Sequence, residues 1–223
     1  MSKSVLVVAA HADDEALGCG GTIARHATSG DQVHVVFVAD GVMSRLNAGT
    51  DELARRQKAT EQACEILGIR STTFLGLPDN RLDSLSLLDI VQPLEAIIAR
   101  LAPELVYTHH YGDLNIDHRQ THHAVMTACR PLPDTTVREI LAFEVMSSTE
   151  WSSLGLAPFL PNLFVDIGAQ LDTKMRALEA YGLEMRAPPH SRSLMHLRYL
   201  AQHHGCCVGV DAAEAFMVMR AIR

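Results

Sequence analysis

The chain has 223 residues, of which 48% are apolar, 20% are charged and 5% are aromatic, and its formal net charge is −7. This composition is typical of globular proteins and the length suffices to bury a core without disulfides, so we expect one domain over residues 1–223. The acidic balance and the scattered basic residues argue against nucleic acid as the main partner, because neutralising a phosphate backbone requires clustered cations.

Signals for membrane insertion or secretion are not found in the sequence. No apolar stretch reaches the roughly 18 residues that a spanning helix needs, and the charged segment 11–15 comes too early for a signal peptide. The five cysteines are odd in number and lack zinc-finger spacing, which suits a reducing compartment. We therefore expect a cytoplasmic protein.

The first half of the chain alternates between β-rich runs and segments with helical periodicity. Residues 5–9, 33–39 and 72–75 are predicted strands, and the first two are continuously apolar, as in parallel strands that are buried on both faces. Helices are predicted between them, the second over 51–67 with Asp51 as N-cap. This β-α-β-α order is typical of a parallel sheet in an α/β protein.

The second half continues this pattern through a dense polar stretch at 109–123. A helix is expected over 87–101, where Pro93 must lie in the first turn or kink the helix. The polar stretch follows a predicted strand at 104–108, and its second half is a predicted helix with Asp117 as N-cap. The remaining elements are predicted as strands at 139–145 and 163–167, a helix at 169–183, a loop at 188–192 and a further helix.

The loops after the predicted strands carry most of the chemically reactive side chains. They are His11-Ala-Asp-Asp-Glu, Asp40-Gly41, Pro78-Asp79-Asn80 and the segment from His109 to His118. In open α/β sheets the functional site lies at the carboxyl ends of the strands, so these loops are expected to converge. Their imidazoles and carboxylates are the ligand types of a catalytic zinc or a similar divalent ion.

His11 and Asp14 are spaced so that both can bind one ion. They lie three apart in a strand-to-helix turn, in which Asp13 would point elsewhere. The other interpretation is that these acids only favour the dipole of the following helix. Because a histidine and two acids directly follow a buried strand, we favour the metal site.

His118 would supply a third ligand from the fourth loop. Asp117 beside it could orient the imidazole ring or contact the substrate, whereas His122, one helical turn further along, could compete as ligand. Three protein ligands leave one position open for water, whose pKa zinc lowers towards ~7. Asp13 is then the candidate general base of a hydrolase, although the spacing does not say whether an amide, an ester or a phosphate is cleaved.

Residues 10–22, Ala-His-Ala-Asp-Asp-Glu-Ala-Leu-Gly-Cys-Gly-Gly-Thr, resemble the His-Pro-Asp-Asp-Glu signature of the LmbE-like or PIG-L superfamily of zinc-dependent N-acetylsugar deacetylases. The likeness extends over nearly the whole chain, because further family segments follow in the same order. They are Asp40-Gly41, Arg56, Leu77-Pro78-Asp79, Asp117-His118 and the tail segments 189–193 and 213–216. Two other stretches, 112–118 and 147–151, look like those of bacterial members associated with surface-polysaccharide sugars.

This resemblance implies a Rossmann-like, mostly parallel central sheet flanked by helices. It also implies a metal held by His11, Asp14 and His118, with Asp13 as general base and acetate released from an N-acetylhexosamine. Zinc suits two histidines and one carboxylate, and Fe(II), Co(II) or Mn(II) would accept the same set.

Substrate contacts are expected from residues further along the chain. Arg56 and Asp79 match positions that contact substrate in the family, although Arg56 could equally lie on a solvated helix face. Trp151, the chain's only tryptophan, could line the sugar site, or it could serve as a core or oligomer contact.

Two positions depart from the family pattern. Ala12 replaces the usual proline, which loses turn rigidity but no chemical group. Asn115 stands where many members have a histidine that stabilises the oxyanion, and its neutral amide can donate a hydrogen bond but cannot carry a positive charge. His110, His122 or His190 could substitute; we favour His190, although its loop could equally be structural.

We therefore expect a metal-dependent deacetylase acting on an N-acetylated sugar or sugar conjugate. The alternatives are a metallo-amidase for another acylated small molecule and a degenerate, non-catalytic sugar-binding module, which only Asn115 suggests. A dinucleotide-binding oxidoreductase is disfavoured, because the glycines at 18–21 lack the G-x-G-x-x-G spacing. The apolar content would tolerate subunit contacts, so a homo-oligomer stays open.

Overall fold

The computed structural model describes residues 2–40 and 50–223, which fold around one seven-stranded sheet. The strands are β1 (Ser4–Ala9), β2 (Gln32–Ala39), β3 (Ser71–Leu77), β4 (Leu105–His109), β5 (Glu139–Phe143), β6 (Leu163–Asp166) and β7 (Ala213–Ala221). The helices are α1 (Asp14–Thr28), α2 (Thr50–Leu67), α3 (Leu87–Leu101), α4 (Ile116–Ala128), α5 (Leu171–Ala180) and α6 (Leu194–Val208). The strand order across the sheet is β3-β2-β1-β4-β5-β7-β6.

The sheet is mostly parallel and has helices on both faces. Strands β1 to β5 pair in parallel, whereas β7 runs antiparallel to both of its neighbours, β5 and β6. The prediction of an α/β fold with a mostly parallel sheet flanked by helices is therefore confirmed.

Alternation along β1 divides the core into two layers, one on each face of the sheet. Val5 and Val7 pack in the layer formed with α1, α2, α5 and α6, while Leu6 and Val8 pack in the layer formed with α3 and α4. Successive side chains of a strand point to opposite faces, and here both faces are covered. This explains why the sequence of β1 is continuously apolar rather than alternating.

The direction of the strand order reverses between β1 and β4. From β1 the chain proceeds through β2 and β3 to one side of the sheet, and from β4 it proceeds through β5 to the other. The loops that follow β1 and β4 therefore diverge at this point and leave a crevice at the carboxyl edge, where ligands of open α/β proteins bind. The histidine and aspartate motifs lie in these two loops.

Several element predictions differ from the structure, and of the two possibilities for Pro93 it excludes the first turn. Helix α2 begins at Thr50, so Asp51 lies inside the helix and is not its N-cap. Strand β7 was not predicted, and the sequence pointed to residues 213–216 only as a family segment. Helix α3 contains Pro93 in its interior, beyond the first turn, and begins with a capping box between Ser86 and Asp89. Helix α4 is capped by Asn115 instead of Asp117, because the Asn115 side chain accepts a hydrogen bond from the Asp117 N–H at 2.8 Å.

Helix α1 is interrupted at Cys19, whose φ of −145° is not helical. The second segment has its own cap, since the carboxylate of Glu214 on β7 accepts hydrogen bonds from the N–H groups of Gly21 (2.9 Å) and Thr22 (2.7 Å). Lys174 on α5 lies 2.6 Å from Glu214 and donates to the Leu17 carbonyl at 2.9 Å. This buried ion pair fixes the break that follows the sequence motif.

The glycines of the motif allow close packing at this break. A Cβ atom on Gly18 would collide with the ring of Phe143, and one on Gly21 would lie 2.6 Å from the side chain of Ile167. Side chains at these two positions would push α1 away from the sheet and the elements beside it. The trailing glycines therefore serve helix packing.

Candidate metal centre and active site

The turn between β1 and α1 holds three of the predicted site residues in a compact arrangement. Asp13 has a φ of 126°, which L-residues rarely adopt. Its N–H donates to Glu15 Oε2 at 3.1 Å, and its carbonyl accepts from the Leu17 N–H at 2.9 Å. This backbone conformation sends the adjacent carboxylates of Asp13 and Asp14 to different partners.

His11, Asp14 and His118 form one of the two groups of potential metal ligands among the described residues. Asp14 Oδ2 lies 3.3 Å from His11 Nδ1 and 3.3 Å from His118 Nε2. Asp14 is fully buried, and its Oδ1 atom has no hydrogen-bond partner within the described part of the chain. An unpartnered buried carboxylate oxygen is costly, and a divalent cation would satisfy it. Two imidazoles and one carboxylate are also a typical zinc donor set, so these residues fit a metal ion.

The electrostatics of this group favour a negative charge on Asp14. Burial by itself would raise the pKa of Asp14, but the charge of His118 and the hydrogen bonds from His11 and His118 outweigh burial and hold the pKa well below its usual range. Burial would lower the pKa of His118, yet the charges of Asp14 and Asp113 raise it to about 9. Without an ion, a proton on His118 thus balances the negative charge of Asp14, and a bound cation would take the place of that proton.

The other ring nitrogen of His11 faces two buried carboxylates. Its Nε2 lies 3.0 Å from Asp117 Oδ2 and 3.1 Å from Asp79 Oδ1, which is the second group of potential ligands. Asp117 also accepts hydrogen bonds from the N–H groups of Asn80 (2.7 Å) and Leu82 (3.0 Å). Asp117 thus contacts His11 and is hydrogen-bonded to the loop after β3. The sequence analysis expected it to orient His118 or to contact the substrate.

His118 has a different carboxylate behind it. Its Nδ1 lies 3.2 Å from Asp113 Oδ1, and its ring stacks on that of His109 with 4.0 Å between the centroids. Sequence reasoning gave no role to Asp113, although it lies in the polar stretch that the resemblance singled out.

The carboxylate of Asp13 pairs with an arginine from the far end of the chain. Arg192 Nη1 lies 2.8 Å from Asp13 Oδ2, and Arg192 Nε donates to the Met146 carbonyl at 3.1 Å. Burial raises the pKa of Asp13 to about 6, against the lowering effect of Arg192 and with a further rise from Asp14. A buried carboxylate with a pKa in this range suits a general base at neutral pH. Arg192 lies in the tail segment 189–193, in which the sequence analysis named only His190 as a candidate for a role in the reaction.

His190 lies in the same loop as Arg192 and is hydrogen-bonded within it, while its expected role in the reaction stays a prediction. Its Nδ1 accepts a hydrogen bond from the Arg192 N–H at 3.0 Å, and its ring meets Trp151 edge-on at 5.6 Å. Trp151 is half exposed. The loop thus connects Trp151 to Asp13 through His190 and Arg192.

Three further histidines of the polar stretch are engaged in local structure. His109 accepts a hydrogen bond from the Ala10 N–H at 2.8 Å, and His110 donates to the Ala157 carbonyl at 2.8 Å. His122, considered above as a competing ligand, donates from Nδ1 to the His109 carbonyl at 2.8 Å and belongs to neither ligand group among the described residues.

A cavity of about 280 Å³ opens beside Ala12, the residue that lies between His11 and Asp13 in the chain. Arg56 lines this cavity, and its guanidinium lies 3.0 Å from Glu184 Oε1. Phe74 also lines it, half exposed and stacked on Phe37 with 5.0 Å between the ring centroids. A larger cleft of about 490 Å³ lies at the opposite edge of the sheet, around the amino-terminal ends of β4 and β5, and contains none of the ligand groups. Neither space is lined by the ligand groups themselves, but the smaller cavity touches Ala12 in the turn that carries the metal motif and is therefore the better candidate for the substrate site.

None of the helices in the described ranges is both long and apolar enough to cross a membrane.

Residues 6–129 match the family model described as "PIG-L: GlcNAc-PI de-N-acetylase". The chain is 35% identical to the "Uncharacterized deacetylase YaiS" of Escherichia coli, over 80% of this chain and 90% of that protein. It is 30% identical to the "Probable N-acetyl-alpha-D-glucosaminyl L-malate deacetylase 2" of Bacillus cereus, over 84% of this chain and 86% of that protein.

Solved structures share the fold over almost the whole chain. The N,N′-diacetylchitobiose deacetylase of Pyrococcus horikoshii aligns with a TM-score of 0.77 at 23% identity, covering 98% of this chain and 84% of that one. The 4-carboxy-2-hydroxymuconate hydratase GalB of Pseudomonas putida aligns with a TM-score of 0.79 at 23% identity, covering 99% and 98%. Because these two enzymes catalyse different reactions, the fold by itself does not identify the reaction.

Proposed function

Because this chain belongs to the PIG-L family of GlcNAc-PI de-N-acetylases, we propose that it is a metal-dependent hydrolase that removes the acetyl group from an N-acetylhexosamine-type sugar. We further propose that residues 1–223 form one such deacetylase domain. The name of the Bacillus cereus relative, an N-acetyl-alpha-D-glucosaminyl L-malate deacetylase, supports a sugar N-acetyl substrate.

One observation carries this proposal. Asp14 directs Oδ2 to both His11 and His118 and has a second buried oxygen, Oδ1, without a hydrogen-bond partner among the described residues, while the adjacent Asp13 is outside the ligand group. A site that only bound metal would not need a spare buried carboxylate at this position. The pairing of a ligand set with an adjacent base is what metal-assisted hydrolysis requires.

In the proposed reaction Asp13 receives a proton from the attacking water and later delivers it to the nitrogen of the leaving amine. The water oxygen joins the acetyl carbon, the carbon–nitrogen bond breaks, and acetate and the free amino sugar are the products. When bound, a divalent ion supplies Lewis-acid polarisation at this site. We propose zinc, although the same three side chains would also accept Fe(II), Co(II) or Mn(II).

The remaining residues have proposed roles in holding the substrate. Arg56 faces the cavity beside Ala12, where its guanidinium can hydrogen-bond sugar hydroxyls. Asn115 keeps its proposed role as a neutral donor to the oxyanion through its amide N–H group, since its amide oxygen caps α4. Asp79 and Trp151 stay proposed substrate contacts, and the position of Asp79 against His11 also suits a role in orienting that ring.

The test combines metal content with acetate release. Protein purified without added metal is analysed for divalent ions, and then assayed on N-acetylglucosamine and N,N′-diacetylchitobiose. We expect about one ion per chain, lost in His118→Ala, and turnover that falls on the order of 100-fold or more in Asp13→Asn while the ion is retained.

Asp31→Asn serves as a control, because Asp31 is a carboxylate bonded to a histidine, His26, at the opposite edge of the sheet. A folded wild-type protein that does not bind added zinc would contradict the proposed hydrolase function and favour the non-catalytic sugar-binding module. Loaded protein that releases acid from other acylated amines but not from sugars would favour the metallo-amidase.

A further inference from the structure

Asp113 is a fully buried carboxylate in the loop between β4 and α4. It accepts hydrogen bonds from the hydroxyls of Ser148 and Thr149, the latter at 2.5 Å, and from the Asn115 N–H at 2.8 Å. Two of these donors come from the loop that follows β5, the neighbouring strand. This carboxylate is therefore held from both sides and has little freedom to move.

The position of Asp113 determines which nitrogen of His118 is available. Asp113 Oδ1 lies 3.2 Å from His118 Nδ1, while His118 Nε2 points to Asp14 Oδ2 at 3.3 Å. A carboxylate beside Nδ1 favours the tautomer that carries its proton there, which leaves the lone pair of Nε2 free for an ion. The ring cannot rotate freely, because it stacks on His109 with an interplanar angle of 18°.

We propose that Asp113 is the positioning residue of the metal centre that fixes the orientation and tautomer of His118, with Ser148 and Thr149 holding Asp113 in place. This inference rests on the proposed metal-dependent function. It gives the segment 147–151 a role in metal binding through the hydroxyls of Ser148 and Thr149, in addition to the sugar contact proposed for Trp151.

The two histidines of the ligand group then have matching supports. His11 is backed by Asp117, which is tied to the loop after β3, and His118 is backed by Asp113, which is tied to the loop after β5. Each imidazole thus has its own buried carboxylate, anchored on a different side of the crevice.

The test measures metal binding by the protein after removal of metal. Zn²⁺ affinity is determined by competition with a chromophoric chelator, and the visible spectrum of the Co²⁺-loaded protein reports the ligand geometry. In Asp113→Asn the side chain keeps its size but the negative charge beside His118 Nδ1 is lost, and we expect Zn²⁺ affinity to fall about 10- to 100-fold with an altered Co²⁺ spectrum. Asp31→Asn, which changes a carboxylate–histidine pair remote from the site, should keep the wild-type affinity and spectrum.

A folded Asp113→Asn variant with wild-type Zn²⁺ affinity and an unchanged Co²⁺ spectrum would overturn the proposal. If this variant does not fold, Ser148→Ala is the second test, because it keeps the Asp113 carboxylate and removes one of its hydrogen-bond donors. A several-fold weaker Zn²⁺ affinity in Ser148→Ala supports the proposal, and an unchanged affinity rejects it. Failure of the deacetylase function is distinguishable, since a wild-type protein that binds zinc but releases no acetate leaves these affinities measurable.

Discussion

Asp13 combines an unusual backbone conformation with a buried charge that only Arg192 neutralises directly among the described contacts. The φ of 126° at Asp13 lets the two consecutive carboxylates diverge. Asp14 joins His11 and His118 in the ligand group, whereas Asp13 pairs with the guanidinium of Arg192. Glu15 contributes to the same turn, because its carboxylate accepts from the Asp13 N–H and from the Tyr181 hydroxyl at 2.7 Å. The chemistry of the site therefore depends on three adjacent acids with three different partners.

Replacing Arg192 should change the pH dependence of the reaction. Without the positive charge the pKa of Asp13 rises further above its ordinary value, so the base becomes charged only at higher pH. In Arg192→Met we expect the acidic limb of the pH–rate profile for acetate release to move upward, with about tenfold less activity at low pH for each unit of the shift. Arg192→Lys keeps the charge and should lie between the two, and added guanidinium should restore part of the activity of Arg192→Met. An unchanged profile in the methionine variant would exclude this role.

His122 should make the protein sensitive to mild acid. Burial lowers its pKa to about 4 despite the hydrogen bond to the His109 carbonyl, whereas an unfolded histidine titrates near 6.5. The unfolded state therefore binds more protons between these values, and the free energy of unfolding falls as the pH drops from about 6.5 towards 4. This linkage amounts to about 2 kcal/mol between pH 8 and pH 5.

Urea unfolding at pH 8 and pH 5 tests this expectation. His122→Asn retains a donor for the His109 carbonyl and does not titrate, so it should lose about 2 kcal/mol less than the wild type over this interval. His203→Asn, at an exposed position of α6, is the matched control and should behave like the wild type. Equal pH dependence in all three proteins would refute the assignment to His122.

The sequence identified the ligand candidates but not the residues that position them. His11 and Asp14 could be found because they share one turn, and the geometry of that turn follows from the strand before it. Asp113 and Arg192 were missed because their roles arise from tertiary contacts, with Arg192 lying 179 positions from Asp13 along the chain. Asp117 was expected either to orient the neighbouring His118 or to contact the substrate, and the fold brings its carboxylate to 3.0 Å from His11 Nε2.

Among the elements, helix α1 shows how packing and catalysis are connected. Its first segment carries Asp14 at its amino end, and its second segment is capped by Glu214, a residue of β7. The buried pair of Glu214 and Lys174 therefore holds the helix that presents the metal motif.

Breaking this pair should destabilise the protein strongly. Lys174→Met leaves the charge of Glu214 buried with only its backbone donors, and loss of one partner of a buried ion pair costs about 3–5 kcal/mol. Removing both charges in Lys174→Met/Glu214→Gln should cost less than the sum of the two single changes. The control is Glu95→Gln, which breaks the exposed pair with Arg130 and should cost less than about 1 kcal/mol by urea unfolding. Similar losses in the buried and exposed variants would contradict the proposed importance of the cap.

The elements of the first half were easier to predict than those of the last third. Strands β1 and β2 are long apolar runs buried on both faces, which is a strong local signal. Strand β7 carries charged residues near both ends and only one β-branched residue, and its two antiparallel partners lie far away in sequence, so its local signal is weak.

At the scale of the whole molecule, the ligands come from both sides of the crevice between β1 and β4. His11 and Asp14 follow β1, and His118 follows β4, so a bound ion would join the two halves of the sheet. Ligands that bind only the folded state stabilise it by mass action.

Metal removal should therefore lower the thermal stability of the molecule. We expect a lower Tm in the presence of a chelator and recovery on addition of zinc. His118→Ala should show no response to either treatment, because it lacks one of the three ligands. A wild-type Tm that is insensitive to chelator and zinc would indicate that the group does not bind an ion in the folded protein.

The position of β7 has a consequence for the order in which the molecule is completed during synthesis. This strand pairs with β5 on one side and β6 on the other, and it carries the residue that caps the second half of α1. Until β7 has been synthesised, β6 has no partner strand among the described strands, and the second segment of α1 lacks its cap. A nascent chain can therefore contain all three proposed metal ligands before α1, the helix that carries Asp14, has both of its caps, and β7 completes both the pairing of β6 and the capping of α1.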